Sequence, residues 1–465
     1  MRLTRLPVLL LLTALILAAC TPASTAPTAP TSTQDLQTST AGSSPAPTLT
    51  ASPTPLPAIT VDPAALRGLT LQVWQAFGGP AADLFSSQAA QFSAENEWGI
   101  VVNTTGYGDY TSLFDAMNTA LDSGHAPDLV TALPEQTLAW EALGAVVDLS
   151  PYLRDPQWGP AADASADIPS AFWAQDNVDG KQLGMPAQRS ARVIFYNQTW
   201  AQELGFNGAP TTADEFRQQA CAANASFLKD SDQTNDGKGG WVVDTAWQTD
   251  YSWLLAFGGG VADGSAYTFR TDPNLAALQF LKGLSDKHCA WPSETPYDSF
   301  ASRTALFVSA DLSELPAEMD AMQRHKNTDQ WTVIPFPGPQ ARDLVAYGPS
   351  YTLLKSTPEK QLAAWLFTRW LLSPESQSRW VEATGLFPLR TSSLGMIGPY
   401  RAADPQWQAA VGYLSLAQGV PQLASWRKVR YVLEDGLTTL FQLNLPVAKL
   451  PSALEQMDSM AQELK

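Results

Sequence analysis

Between Gly68 and Gly144 the chain alternates short period-two apolar runs with helical stripes, and the loops between them are short. Leu69, Leu71 and Val73 recur at period two, the signature of a strand with one buried face. Gly79-Pro80 then opens a helix whose Phe85, Ala89 and Phe92 share one face. Gly99 to Val102 reads as a second buried strand. Tyr110, Leu113, Phe114, Met117, Ala120 and Leu121 make the next helical stripe, stopped by Gly124. Asp128 to Thr131 is a third strand, and Pro134 to Leu143 a helix ended by Gly144. Strand-helix-strand-helix-strand at this spacing requires parallel pairing with right-handed crossovers, hence an α/β fold.

The alternation resumes after Gln188. Arg192 to Tyr196 is a strand, and Thr212 with Glu215 forms a capping box for a helix through Ala223. Asp272-Pro273, Thr357-Pro358-Glu359 and Ser373-Pro374-Glu375 start three further helices. The globular part, residues 66–465, thus carries two α/β units, a number that about 400 residues accommodate.

Ahead of them stand Arg2 and Arg5, a mostly apolar run from Leu6 to Ala19, and Cys20. That run is shorter than the roughly 20 residues a membrane-spanning helix needs. It reads as a cleavable export signal, residues 1–19. A Thr/Pro/Ser/Ala tract with Asp35 as its only charge follows as far as about Thr60. It buries too little to offset its chain entropy, so residues 20–65 read as a disordered tether. The formal charge of −17 becomes −19 once the two signal arginines are removed, which disfavours nucleic acid as a partner. Cys221 and Cys289 are the other two cysteines. In an exported chain they either bridge, which stabilises by roughly 3–5 kcal/mol, or pack as buried thiols.

Catalytic signals are sparse. There is no Gly-x-Ser-x-Gly elbow, His-Glu-x-x-His, Walker loop or Cys-x-x-Cys. His125, His288 and His325 lack ligand spacing. The acidic turn Asp230-Asp232-Asn235-Asp236-Gly237 misses the calcium-loop pattern, so neither a metal nor a cofactor is expected. The richer signal is aromatic: 16 Trp, several near loop ends (Trp74, Trp241, Trp247, Trp253, Trp407). An indole face stacks on the C–H face of a sugar ring, and nearby polar groups fix its hydroxyls.

In order along the chain come Leu71-Gln72-Val73-Trp74 with Gly78-Gly79-Pro80, Gly106-Tyr107-Gly108-Asp109-Tyr110, Ala126-Pro127-Asp128-Leu129, and Val178-Asp179-Gly180-Lys181. Gly184-Met185-Pro186, Phe195-Tyr196-Asn197, Ala305-Leu306-Phe307, Tyr347-Gly348-Pro349-Ser350 and Ala383-Thr384-Gly385 follow. This set resembles the family-1 extracellular solute-binding proteins of ABC importers, which include sugar- and glycerol-3-phosphate-binding lipoproteins. Leu17-Ala18-Ala19-Cys20 likewise resembles the lipobox of bacterial lipoproteins, in which Cys20 is lipidated.

The resemblance implies a two-lobe periplasmic-binding-protein-like fold of type II, with three hinge crossings near Pro186–Ser190, Ile334–Pro337 and Phe387–Leu389. The first lobe is expected over 66–187 plus 336–387, and the second over 188–335 plus 388–465. It implies a ligand-binding set of Trp74, Tyr110, Glu135, Ser190, Trp253, Ser309, Gly348 and Arg430, outside the carboxyl ends of parallel strands. Gln75 stands where the family often has His or Asn, and Leu386 where phosphate-ester binders usually have Tyr. The expected protein is a lipid-anchored, extracytoplasmic monomer that captures a carbohydrate and passes it to permease subunits without altering it. A glycerol-3-phosphate or glycerophosphodiester receptor is the alternative within the family. Outside it stand a tethered glycoside hydrolase and a non-closing polymer-binding surface protein.

Overall fold

The computed structural model describes residues 58–160, 166–441 and 445–465. The expected signal segment, Cys20 and the tether as far as residue 57 lie outside the described residues. Residues 58–65 depart from the tether reading. Pro63–Leu66 forms a 3-10 turn capped by Asp62, Leu66 is fully buried, and Ile59 and Val61 pack against the core. Three apolar side chains suffice to draw this stretch onto the globular part.

The first lobe is built on a five-stranded sheet of described residues, in the order Val101–Gly106, Thr70–Gln75, Leu129–Ala132, Ser350–Leu353, Met185–Pro186. The first three strands, β2, β1 and β3 in chain order, are parallel. Leu71 and Val73 of β1 are buried while Gln72 is exposed, as period two requires. The crossovers are helices α1 (Gly79–Glu95) and α2 (Tyr110–Ser123). Asp109 caps α2 by accepting from the Ser112 N–H at 2.7 Å. Gly124 ends it at φ 72°, a left-handed turn that costs glycine little. Helix α3 (Pro134–Ala142) follows β3.

The second sheet has eight described strands. Phe307–Asp311, Ser190–Asn197 and Arg342–Tyr347 lie adjacent at its centre, and Trp241–Val242 runs parallel to Phe307–Asp311. Among its helices, Ala213–Phe227 starts at the Thr212–Glu215 capping box, and Trp247–Ala256 and Trp426–Leu440 cover one face. The sulfurs of Cys221 and Cys289 are bonded, closing the helix onto the segment ahead of Ala290–Trp291. Among the described residues, no helix is long and apolar enough to cross a membrane.

The chain first passes between the sheets at residues 187–189. The second passage is at Gly348–Pro349, not at Ile334–Pro337. Phe336 and Pro337 pair with Asp343 and Arg342, and Ala346 and Tyr347 with Ala191 and Ser190. Residues 336–347 therefore belong to the second lobe, where Phe336 is buried against Trp253. At the third expected crossing the Phe387 N–H donates to the Arg189 carbonyl at 3.0 Å. Residues 390–392, assigned by sequence to the second lobe, instead return to the first, where Asp167 accepts from Arg390, Thr391 and Ser392. The chain joins the second lobe from the helix Pro405–Val411 onward, where Gln406 donates to the Trp331 carbonyl and Ala417–Gln418 pairs with Leu344 and Val345.

Arg189 clasps these passages together. It is fully buried, and its guanidinium donates to Asp176 at 2.9 Å, to Ser350 Oγ at 3.0 Å and to the carbonyls of Gly348 and Pro349 at 3.2 and 2.6 Å. A Cβ on Gly348, which sits at φ 150°, would lie 2.2 Å from the Gln188 carbonyl oxygen. Glycine alone lets the two segments approach this closely.

Candidate functional site

The carboxyl ends of β1, β2 and β3 supply one wall. Trp74, near the end of β1, and Tyr107, just past β2, hold their rings 5.2 Å apart at 51°. Tyr110 opens α2, held by Gln136, whose amide donates to the Tyr110 carbonyl at 2.6 Å while its Oε1 accepts from Leu133 N–H. The Tyr110 hydroxyl is buried with no hydrogen-bond partner. Burial pushes its pKa up, against the pull of Thr131 and Arg189. Glu135, in the first turn of α3, is 2% exposed and accepts from Arg430 Nη1 at 2.9 Å. Burial raises the Glu135 carboxyl above the usual carboxylate range, a shift that Arg430 and Arg427 oppose.

The second wall belongs to the other lobe and centres on Arg192. Its guanidinium binds Asp244, Thr249 Oγ1 at 2.8 Å and Asp311 at 3.0 Å, with Glu314 at 3.6 Å. Asp244 and Asp311 stand at or just beyond the carboxyl ends of Trp241–Val242 and Phe307–Asp311, the position at which open α/β sheets carry their ligand sites. Burial first, then the neighbouring Glu314 and Asp244 charges, pushes Asp311 up to about 6 although Arg192 opposes it. Tyr347 donates to Asp311, and its ring packs edge-on to Trp247 at 5.6 Å. Asp250, one turn along from Trp247, is 1% exposed and neither carboxyl oxygen has a partner. Burial raises it well above the carboxylate range, followed by Asp244 and Glu434.

The two walls meet at the helix Trp426–Leu440. Arg430 reaches Glu135 of the first lobe and lies 5.8 Å over the Trp247 ring of the second. Arg427 sits 4.7 Å over Phe114 of α2. A continuous path of contacts thus runs Glu135, Arg430, Trp247, Tyr347, Asp311, Arg192, Asp244.

Of the residues singled out by sequence, Trp74, Tyr110, Glu135 and Arg430 fall on these walls. Ser190 and Gly348 lie beside the Arg189 clasp, and the Ser190 hydroxyl is buried without a partner. Ser309 is taken up within the second lobe, where it accepts from Trp241 Nε1 at 3.0 Å. Trp253 is a core residue, fully buried among Phe216, Trp241, Phe280 and Phe336. Trp241 and Trp407 are likewise fully buried. Sequence reasoning missed Arg192, Asp244, Asp250, Asp311 and Tyr347. A signal for two of them was present: Asp244 and Asp311 are the first acidic residues after buried apolar runs. The acidic turn is exposed and bonds locally to itself, Asp230 accepting from Asp232 N–H and Asn235 Nδ2, and Asp232 from Thr234 N–H.

Residues 87–413 match the family described as bacterial extracellular solute-binding protein. A protein of Brucella abortus (strain 2308) named as a binding protein is 21% identical over 381 residues, covering 80% of this chain and 87% of its own length. The fold is that of the sugar-binding protein MalE from Xanthomonas citri (TM-score 0.71, 19% identity, 85% of this chain and 97% of that one). The cyclic alpha-maltosyl-1,6-maltose binding protein from Arthrobacter globiformis is similar at TM-score 0.70, 18% identity, 85% of this chain and 100% of its own. UgpB from Mycobacterium tuberculosis, solved in complex with glycerophosphocholine, gives TM-score 0.67 and 18% identity over 85% and 98%. The match takes in the hinge and most of both walls, though not Trp74 or the helix Trp426–Leu440, and the chain belongs to the bacterial extracellular solute-binding proteins.

Proposed function

We propose that the chain is the receptor of an ABC importer, that its solute is a carbohydrate held between the lobes, and that Cys20 carries the lipid that anchors it outside the cell membrane. One observation carries the choice of solute. Half-buried aromatic rings from both lobes, Trp74 with Tyr107 and Trp247 with Tyr347, stand among buried polar atoms that lack partners, in Tyr110, Asp250 and Arg430. A sugar needs both: an apolar face for its C–H groups, and donors and acceptors in fixed directions for its hydroxyls. A phosphate ester suits this lining less, because Arg192 and Arg430 are each already paired with carboxylates. Two of the three like-folded structures named above are proteins named for sugar binding.

In this reading the Arg189 clasp is the pivot. Solute shifts the lobes toward closure only by as much as it binds the closed form better. No bond in the solute changes, and the closed receptor as a monomer is what the permease subunits recognise. Titration calorimetry of the full chain against maltotriose, other oligosaccharides and glycerophosphocholine tests this. Binding of a saccharide is expected, with Trp74→Ala and Trp247→Ala each weakening it about tenfold. Binding of glycerophosphocholine alone overturns the carbohydrate assignment.

A further inference from the structure

We infer that the captured solute carries a protonated amine, received by a cluster of acidic side chains of the second lobe, Asp250, Asp244 and Glu434, beside Trp247. The inference rests on the carbohydrate reading and narrows it to an amine-bearing saccharide.

The cluster holds more acidic groups than the protein supplies cations. Asp244, Asp311 and Glu314 share one cation, Arg192. The other nearby cation, Arg430, is committed to Glu135 across the cleft. Asp250 follows Thr249, whose hydroxyl donates to Asp244, and the charges of Asp244 and Glu434 both act on it; neither of its oxygens has a donor although it is almost fully buried. A buried carboxyl without a donor costs stability, so its retention at this position calls for a partner that arrives from outside.

A neutral hydroxyl offers one donor and leaves the repulsion among the carboxylates in place. An ammonium offers three N–H donors and a positive charge, and charge-assisted hydrogen bonds are about twice as strong as neutral ones. The adjacent ring already accepts this chemistry. Trp247 is three residues from Asp250 on the same helix, and it carries the Arg430 guanidinium 5.8 Å from its ring centre. Both a carboxylate and an electron-rich face are therefore within one helical turn, as recognition of an organic cation requires. The chain's net charge of −17 favours encounter with cationic solutes in the same sense.

Calorimetry of the full chain at about pH 6, where a sugar amine is protonated, with maltotriose, N-acetylated chitotriose and the same trisaccharide bearing free amines, tests the inference. The free-amine trisaccharide is expected to bind at least about tenfold more tightly than its N-acetylated counterpart. Asp250→Asn is expected to bring that ratio toward one. Glu434→Gln, on a partly exposed face of its helix, does the same in part and serves if the first variant does not fold. If the N-acetylated or neutral saccharide binds as well as the free amine, the inference fails while the carbohydrate reading stands. If no saccharide binds, both fail.

Discussion

Arg430 donates to Glu135 at 2.9 Å, tying a helix of the second lobe to the first turn of α3 in the first. Glu135 is almost fully buried and Arg430 largely so. A charge-assisted bond in such a setting contributes roughly 1.5–3 kcal/mol, enough to shift a two-state equilibrium about tenfold or more.

Arg430→Ala is therefore expected to favour the open arrangement of the lobes. Small-angle scattering of the unliganded protein should show a larger radius of gyration than the parent, and calorimetry a solute affinity lower by about tenfold. An unchanged radius would mean that the pair does not hold the lobes in solution.

Arg189 plays a different part, since it binds the hinge segments to one another rather than lobe to lobe. Arg189→Ala leaves Asp176 buried, stripped of its only cationic partner in the clasp. Breaking a buried pair in this way costs about 3–5 kcal/mol. Urea unfolding should show that loss with solute absent, whereas a loss seen only with solute present would move Arg189 from the hinge to the binding wall.

The sheet core carries a pH signature. Burial pushes Asp343 up to about 6 from 3.8, partly offset by the Gln418 amide that donates to it. A raised carboxyl binds more protons folded than unfolded, so its contribution is fully present below about pH 4 and lost as pH rises through about 6. Asp343→Asn should flatten the fall in stability across that window. Part of the slope remains, because Asp311 shifts in the same direction. Parallel stability profiles for parent and variant would contradict the assignment.

The Cys221–Cys289 bridge spans a sequence separation of 68. Closing a loop of that length lowers unfolded-chain entropy by about 4 kcal/mol at 25 °C. Replacing both cysteines with serine should lower the midpoint of chemical unfolding accordingly. The far-UV circular dichroism of the folded protein is expected to stay as it is.

The alternation of strands and helices was legible because each element buries one face, so Leu71 and Val73 or the Leu113–Met117 stripe print their period on the sequence. The crossing expected near Ile334–Pro337 came from the resemblance alone, and the pairing that holds Phe336 and Pro337 in the second sheet comes from Asp343 and Arg342, partners no local pattern announces. Trp253 misled for another reason. Its nearness to a loop says nothing of its direction, and the ring points into Phe216, Phe280 and Phe336. Asp244 and Asp311 each follow a buried apolar run, but their meeting on Arg192 was out of reach, because the three come from distant segments that only the folded sheet brings together.

A crystal structure of the protein with its tightest-binding saccharide tests the central claim most directly. A sugar is expected between the lobes, packed on Trp74 or Trp247 and hydrogen-bonded to Asp250. A sugar bound instead in the groove lined by Gln175, Tyr251 and Gln422, with the Trp74 and Trp247 faces bare, would contradict it.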